Sequence, residues 1–243
     1  MIIKELTINN VPLVTYEKNL TTKKPLIFFF HGFTSNKDSL MGRGEKLAEL
    51  GFYVVAIDAY LHGKREEEWF KRLSVKQKYQ YIVEIEIKTA HDAKELWESH
   101  FSQQDFIIGD SFNAYGVSMG AATVFYLATI TKELHKGVSL VGSPSFYEYY
   151  QERQKKFSWP EAGLKERLKK YYKLDPLINN DKLGNQVSLF VAVGKDDPIV
   201  NPKYSQKLFQ LRPDIVTFKS YNTGHDSTTE MLNDSYTFLT NNI

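Results

Sequence analysis

Residues 116–120 read Gly-Val-Ser-Met-Gly, which is a G-x-S-x-G pattern. In a nucleophile elbow, this pattern places a serine on a tight turn between a strand and a helix. Side chains two residues before and after the serine would collide in that turn, and Gly116 and Gly120 carry none. The pattern therefore predicts that Ser118 is a nucleophile, with its hydroxyl exposed at the end of a strand.

A nucleophilic serine needs a base, because an alcohol is almost entirely protonated at neutral pH. Histidine is the usual base, and the chain has six. His225 lies just past a predicted strand and before the last predicted helix. Loops at the carboxyl ends of parallel strands carry the sites of open α/β sheets. His225 is therefore the predicted base, whereas His31 is expected to pack beneath its own loop.

The base in turn needs a carboxylate that holds its tautomer and stabilises the imidazolium. Asp196 and Asp197 lie just past the strand predicted at residues 187–193. A turn-forming or helix-capping role is the structural alternative for this pair. The chain order of Ser118, then Asp196 or Asp197, then His225 is the order found in α/β-hydrolases. This order favours a catalytic role and leaves open which aspartate is the acid.

A tetrahedral oxyanion needs two preorganised hydrogen-bond donors, each typically worth ~3 kcal/mol of barrier lowering. One is the backbone N–H of the residue after the nucleophile, which here is Met119. The second comes from the loop after the third predicted strand, where the N–H of Phe33 is the candidate. Phe33 and Met119 together form the predicted oxyanion hole.

The elements that must position these residues alternate between strand and helix. Apolar runs at residues 26–30 and 52–57 are separated by a helical pattern, which is typical of a βαβ crossover. Two β-rich segments on either side of Asn9-Asn10 predict a hairpin at the N-terminus. The pattern predicts an α/β fold with a mostly parallel central sheet, flanking helices and an antiparallel N-terminal hairpin.

Three later segments complete the predicted architecture. Helical periodicity predicts one long helix over residues 75–100, and residues 106–110 look like a small element before the strand that leads to the elbow. Residues 144–181 break the alternation and are too long for a simple connector. We predict a helical lid inserted there within a single domain spanning residues 1–243. Its aromatic residues, among them Tyr149 and Trp159, wall a substrate pocket or attach the lid to the sheet.

The composition argues against several kinds of chemistry. The 243-residue chain has no cysteine, which excludes disulfides, thiolate catalysis and cysteine-ligated metals. It has no His-Glu-x-x-His pattern, and neither a metal nor a cofactor is predicted. The net charge of +2 indicates no nucleic-acid partner. Neither a leader pattern nor an apolar run near the ~20 residues of a membrane span is visible, so we expect a cytoplasmic protein without membrane insertion.

The chain resembles a compact α/β-hydrolase of the carboxylesterase kind, near the dienelactone hydrolases and the catalytic domains of prolyl oligopeptidases. The segments that carry this resemblance are residues 31–35, 58–63, 116–120, 194–200 and 224–225. With the strands before them they extend over nearly the whole chain, and residues 139–181 match least. Many relatives have a second glycine after the elbow, where this chain has Ala121.

In such enzymes the acid usually lies three residues after the glycine of a G-x-x-D-x-x-V motif. The corresponding segment here is Gly194–Val200, so the resemblance implies that Asp197 is the acid and Asp196 its neighbour. The implied activity is that of a carboxylesterase-like serine hydrolase. Its substrates would be esters of small molecules with short to medium acyl chains, cleaved through Ser118, His225 and Asp197 with an acyl-enzyme intermediate.

Other activities stay open at this point. A peptidase or amidase, or an acyltransferase, would use the same three residues, because the pocket decides which bond is cleaved and which acceptor takes the acyl group. A non-catalytic binding module on a hydrolase fold would predict a damaged triad, and here every member is present. The expected partner is a small-molecule ester, and the sequence leaves a homodimer open.

Overall fold

A computed structural model of the chain describes residues 1–19, 22–160 and 163–241. In these ranges the chain forms one eight-stranded sheet from β1 (Ile2–Ile8), β2 (Val11–Glu17), β3 (Lys24–Phe30), β4 (Tyr53–Ile57), β5 (Ile107–Val117), β6 (Leu134–Leu140), β7 (Ser188–Gly194) and β8 (Val216–Tyr221). The order across the sheet is β1-β2-β4-β3-β5-β6-β7-β8. β1 pairs antiparallel with β2, and β2 with β4, whereas the other neighbours are parallel.

Helices cover both faces of this sheet in the described ranges. They are α1 (Arg43–Glu49), α2 (Glu68–Lys71), α3 (Val75–Lys78), α4 (Ile82–Ser99), α5 (Met119–Ile130), α6 (Phe146–Phe157), α7 (Leu164–Leu174), α8 (Lys203–Leu211) and α9 (Thr229–Thr240). The buried side chains of α4 to α8 belong to one core cluster, and those of α1 and α9 to the cluster on the opposite face. The predicted mostly parallel sheet with flanking helices is confirmed.

The N-terminal hairpin is also confirmed. Asn9 and Asn10 connect β1 to β2 with φ angles of 50° and 62°. Asparagine tolerates this left-handed region better than most residues, and two such residues in succession are what a type I′ hairpin turn requires.

Strand β3 shows why the central strands are continuous apolar runs. Phe28 and Phe30 belong to one core cluster, whereas Ile27 and Phe29 belong to the other. Successive side chains of a strand point to opposite faces of the sheet. Because helices cover both faces, no position from Leu26 to Phe30 is left for a polar side chain.

The prediction of one continuous helix over residues 75–100 is wrong. The chain forms α3, then a 3-10 turn at Tyr79–Tyr81, and then α4. At this break the ring of Tyr79 stacks on the rings of Phe33 and Phe157. Helical periodicity cannot reveal such a break, because the partners lie far away in the sequence.

The separate small element predicted at residues 106–110 is also wrong, since most of this segment is the beginning of β5. The register of β5 against β3 shifts between the pairs Lys24–Ile107 and Leu26–Phe112. Gly109 lies within this irregular stretch with a φ of 78°, a conformation that favours glycine. The irregularity interrupts the apolar pattern and makes one strand look like two.

Helix α5 begins directly against the backbone of β3. A Cβ atom at Gly120 would overlap the carbonyl group of Phe30, and one at Gly116 would overlap the carbonyl group of Gly120. This close approach brings almost every residue from Met119 to Ala128 into the core. Only glycine is compatible with such contact between backbones.

We predict that Gly120→Ala lowers the free energy of unfolding by more than ~2 kcal/mol, because α5 or β3 must move to accommodate the new methyl group. The matched control is Gly32→Ala, whose Cβ would make only ordinary contacts at 3.6 and 3.8 Å. That control should stay within ~1 kcal/mol of wild type. Urea denaturation followed by circular dichroism measures both, and equal midpoints for the two variants would contradict the prediction.

Candidate active site

Ser118 is the turn residue between β5 and α5. Its φ and ψ angles of 55° and −113° lie where residues other than glycine are rarely found. Such strain costs about 1–3 kcal/mol and persists only where the surroundings enforce it. The N–H of Ser118 donates to the carbonyl oxygen of Leu140 at 2.8 Å, which ties the turn to the end of β6.

Three predicted residues meet in one hydrogen-bonded chain. The Oγ atom of Ser118 lies 2.8 Å from Nε2 of His225, and Nδ1 of the same ring lies 2.7 Å from Oδ2 of Asp197. Because a carboxylate only accepts, the Nδ1–H of His225 donates to Asp197. Nε2 is then free to accept the hydroxyl proton of Ser118. This geometry is that of a nucleophile, a base and an orienting acid.

Asp197 is held by its backbone surroundings as well as by His225. Its Oδ1 atom accepts the N–H groups of Ile199 at 2.8 Å and Val200 at 2.9 Å, and its side chain is 1% exposed. Burial opposes ionisation, but the hydrogen bonds from His225, Val200 and Ile199 outweigh it and lower the pKa of the carboxyl. Asp196 is exposed beside it. The structure therefore brings Asp197, and not Asp196, to His225.

The loop at residues 31–35 lies against the elbow. A Cβ atom at Gly32 would be 3.8 Å from the Cβ atom of Ser118, so the backbone of Phe33 follows immediately beside the nucleophile. Met119 begins α5 on the other side. In the part of the chain that the structure describes, neither of these N–H groups donates to a protein acceptor. Phe33 thus follows a glycine that lies beside Ser118, and Met119 follows Ser118 itself.

Two histidines support this loop rather than the reaction. His31 donates from Nδ1 to the carbonyl oxygen of Gly32 and accepts the N–H of Ala59 at Nε2. His62 accepts the N–H of Thr34 at Nε2, 3.3 Å away. Burial lowers the pKa of His31 to about 4 and also lowers the pKa of His62. Both rings are neutral at pH 7, and His31 packs beneath its own loop as predicted.

Aromatic rings connect the loop of Phe33 to residues 144–181, which we call the insert. The ring centroids of Phe33 and Tyr79 are 4.7 Å apart, and those of Tyr79 and Phe157 are 5.6 Å apart. The guanidinium of Arg153 lies over the rings of both Tyr79 and Tyr149. Sequence reasoning missed Tyr79 and Arg153, because each acts through contacts with distant segments.

A narrow cavity of about 10 Å³ adjoins Ser118 on the side of the insert. Met119, Ala122, Phe146 and Tyr149 contribute to its wall. A wider groove of about 440 Å³, which is open to solvent, adjoins Ser118 on another side and is lined by His31, Gly32, Arg43, His225 and Ser227, among others. Ser118 thus lies between a narrow cavity and a broad groove that is open to solvent.

The two predicted pocket residues of the insert lie in different places. Tyr149 is buried and lines the cavity at Ser118. Trp159 is not among the side chains that line this cavity. Its ring packs against Tyr150 at 5.2 Å, and its Nε1–H donates to the carbonyl oxygen of Lys76. Trp159 therefore attaches the insert to helix α3.

Residues 1–19, 22–160 and 163–241 contain neither a metal-binding cluster of His, Asp or Glu side chains nor a membrane-spanning helix. No group of three or more side chains there is arranged to hold a metal ion. None of the helices in those ranges is both long and apolar enough to cross a bilayer.

Known proteins resemble this chain in sequence and in fold. The Bacillus subtilis (strain 168) protein named "Putative esterase YitV" is 29% identical over 203 residues, which are 80% of this chain and 78% of that protein. The structure of "Putative Dienelactone Hydrolase" from Klebsiella pneumoniae matches with a TM-score of 0.72 at 13% identity, over 98% of this chain and 96% of the other. Acetyl xylan esterase 1 from Thermoanaerobacterium sp. JW/SL YS485 matches with a TM-score of 0.72 at 18% identity, over 98% and 82% of the two chains.

The model of the prolyl oligopeptidase family matches residues 39–214. This range contains Ser118 and Asp197 and ends before His225, which the structure brings to them. Because the match extends over more than half of the 243 residues, the chain belongs to the prolyl oligopeptidase family, within the α/β-hydrolase superfamily.

Proposed function

We propose that this protein is a serine hydrolase that cleaves carboxylic esters of small molecules. The observation that carries the proposal is the chain of two hydrogen bonds, 2.8 Å from Ser118 to His225 and 2.7 Å from His225 to Asp197. Membership of a hydrolase family supports hydrolysis in general. The esterase names of two matched proteins support an ester as the substrate.

The first half-reaction acylates Ser118. Its Oγ attacks the carbonyl carbon of the ester while its proton moves to Nε2 of His225. The carbonyl electrons move to the oxygen, and the N–H groups of Phe33 and Met119 stabilise that oxyanion. When the tetrahedral intermediate collapses, the alkoxide leaves with the proton from Nε2, and the acyl group stays on Ser118.

Water completes the reaction. It gives a proton to Nε2 of His225 and attacks the acyl carbon, and a second tetrahedral intermediate forms. Collapse of that intermediate breaks the bond to Oγ, returns the proton to Ser118 and releases the acid. Throughout, Asp197 keeps the Nδ1–H of His225 in place and stabilises the imidazolium.

The narrow cavity favours short acyl groups. Its volume of about 10 Å³ is far below the ~300–1,000 Å³ of drug-sized ligand sites, so it has room for a short acyl chain only. We assign the acyl group to this cavity and the leaving alcohol to the wider groove beside His225 and Ser227. Family membership makes amide hydrolysis the second candidate activity, because peptidases of the family cleave amide bonds.

Ser118→Ala should lower kcat/KM for p-nitrophenyl butyrate by at least ~10³-fold, because it removes the nucleophile. The matched control is Ser102→Ala, an exposed serine before the start of β5, which should keep full activity. Initial rates with the ester and with the corresponding p-nitroanilide also compare the two candidate activities. Undiminished ester turnover in Ser118→Ala would refute the mechanism, and a higher kcat/KM for the anilide would favour the amidase.

Asp197→Asn should lower kcat by about 10⁴-fold, because an amide no longer holds the reactive tautomer of His225. Asp196→Asn changes an exposed side chain that makes no hydrogen bond to His225, so it should stay within about twofold of wild type. Steady-state kinetics at pH 7.5 compare the two variants. A greater loss in Asp196→Asn would show that the acid is wrongly assigned.

Tyr149→Ala should shift the preference toward longer acyl chains, because it enlarges the cavity beside Ser118. Trp159→Ala should instead lower the free energy of unfolding by about 3–5 kcal/mol, the usual cost of truncating a buried aromatic residue. Tyr172→Ala, at an exposed position of α7, is the control for both. A panel of p-nitrophenyl esters from acetate to decanoate measures the preference, and an unchanged profile in Tyr149→Ala would refute its role.

A further inference from the structure

The cavity beside Ser118 has an acidic side chain in its wall. Glu86, on helix α4, lines this cavity and is 3% exposed. Its neighbours on the helix, Ile85 and Ile87, are buried in the apolar core. Glutamate is almost never buried without a partner, because removing a carboxylate from water is costly.

Glu86 has no partner among the described residues. Burial is the only influence on its carboxyl, and it raises the pKa well above the ordinary value, with no hydrogen bond or opposite charge to counteract it. The titratable groups that face it are the phenols of Tyr149 and Tyr171, and burial keeps both uncharged by raising their pKa. The acid form of Glu86 is therefore favoured, with one O–H to donate and a carbonyl oxygen to accept.

The other polar groups in the wall are already engaged. The hydroxyl of Ser143 donates to the carbonyl oxygen of Ser145 at 3.2 Å. The hydroxyl of Ser145 donates to Oδ2 of Asp175 at 2.9 Å. Much of the remaining wall is apolar, including Ile82, Met119, Ala122 and Phe146. Glu86 thus provides unused hydrogen-bonding capacity in a cavity that ends at the nucleophile.

We propose that Glu86 is the specificity residue of this cavity and that it binds a hydroxyl group on the acyl chain of the substrate. The proposal rests on the proposed function, since it places the acyl chain in this cavity. The preferred substrates would then be esters of short hydroxy acids rather than of plain fatty acids. Glu86 acts on binding and leaves the chemical step to Ser118, His225 and Asp197.

A hydroxyl fits this site better than a charged group does. It can donate to the carbonyl oxygen of a protonated carboxyl and accept from its O–H, so both groups are satisfied without burying a charge. An ammonium would require the ionised carboxylate and would itself have to leave water, and the attraction of a buried pair often only balances those costs. An anion would meet no positive charge among the described lining residues.

The test uses p-nitrophenyl esters whose acyl groups are matched in length. Butyrate, 3-hydroxypropionate and 3-aminopropionate end in a methyl, a hydroxyl and an ammonium group. The measured quantity is the kcat/KM of each polar ester divided by that of butyrate. Comparing this ratio between enzyme variants cancels the intrinsic reactivity of the esters.

We expect the hydroxy-to-alkyl ratio to fall at least ~10-fold in Glu86→Leu, since a site built to bind a polar group discriminates strongly against its loss. Glu86→Gln keeps a neutral donor and acceptor in the same place and should retain most of the ratio. Glu84→Leu, two residues away on α4 and only half-buried, is the matched control and should leave the ratio unchanged. Thermal unfolding of each variant checks that it is folded.

Two results would overturn the proposal. An unchanged hydroxy-to-alkyl ratio in folded Glu86→Leu would show that Glu86 does not recognise the acyl chain. A preference of wild type for the 3-aminopropionate ester, lost in Glu86→Gln, would show that an ionised Glu86 binds an ammonium instead. Failure of the proposed function is separate, because it would appear as butyrate turnover that survives Ser118→Ala.

Discussion

The strained backbone of Ser118 is the constraint on which the rest of the site depends. A residue with a side chain keeps such a conformation only when its surroundings enforce it. Here α5 begins directly on β3, because Gly116 and Gly120 have no side chains that would separate the backbones. Most of the helix is buried, and the free energy of that apolar packing offsets the local strain. The Ser118 hydroxyl is therefore held at the edge of the sheet before any substrate arrives.

The same edge brings the other groups to Ser118. β5, β7 and β8 run parallel, so the loops after them converge although Ser118, Asp197 and His225 are far apart in the sequence. Each hydrogen bond then fixes the orientation of the group that makes the next hydrogen bond. The N–H groups that bind Asp197 fix its carboxylate, the carboxylate fixes the ring of His225, and the ring directs Nε2 at Oγ. The side chains of Ser118, His225 and Asp197 therefore lose little conformational freedom when a substrate binds.

The insert contacts both the cavity beside Ser118 and the ring that supports Phe33. Its Phe146 and Tyr149 form part of the cavity wall, and its Phe157 supports the ring of Tyr79, on which the ring of Phe33 stacks. One packed aromatic cluster thus supports two parts of the site. These are the wall of the cavity proposed to hold the acyl chain and the loop that carries Phe33, the predicted oxyanion donor. Packed cores transmit strain. A change in the insert would therefore alter both the shape of the cavity and the position of the loop.

The sequence by itself determined the alternation of strands and helices and the chain order of Ser118, Asp197 and His225, because short motifs and apolar periodicity express local requirements. Only the tertiary structure decided how Tyr79 interrupts a helix and what Glu86 faces. Helical periodicity places Glu86 on the buried face of α4, four residues after Ile82 and four before Ala90, but it does not show which segments pack against that face. The insert and α5 cover that side, and contacts between segments so distant in sequence leave no local pattern from which they could be predicted.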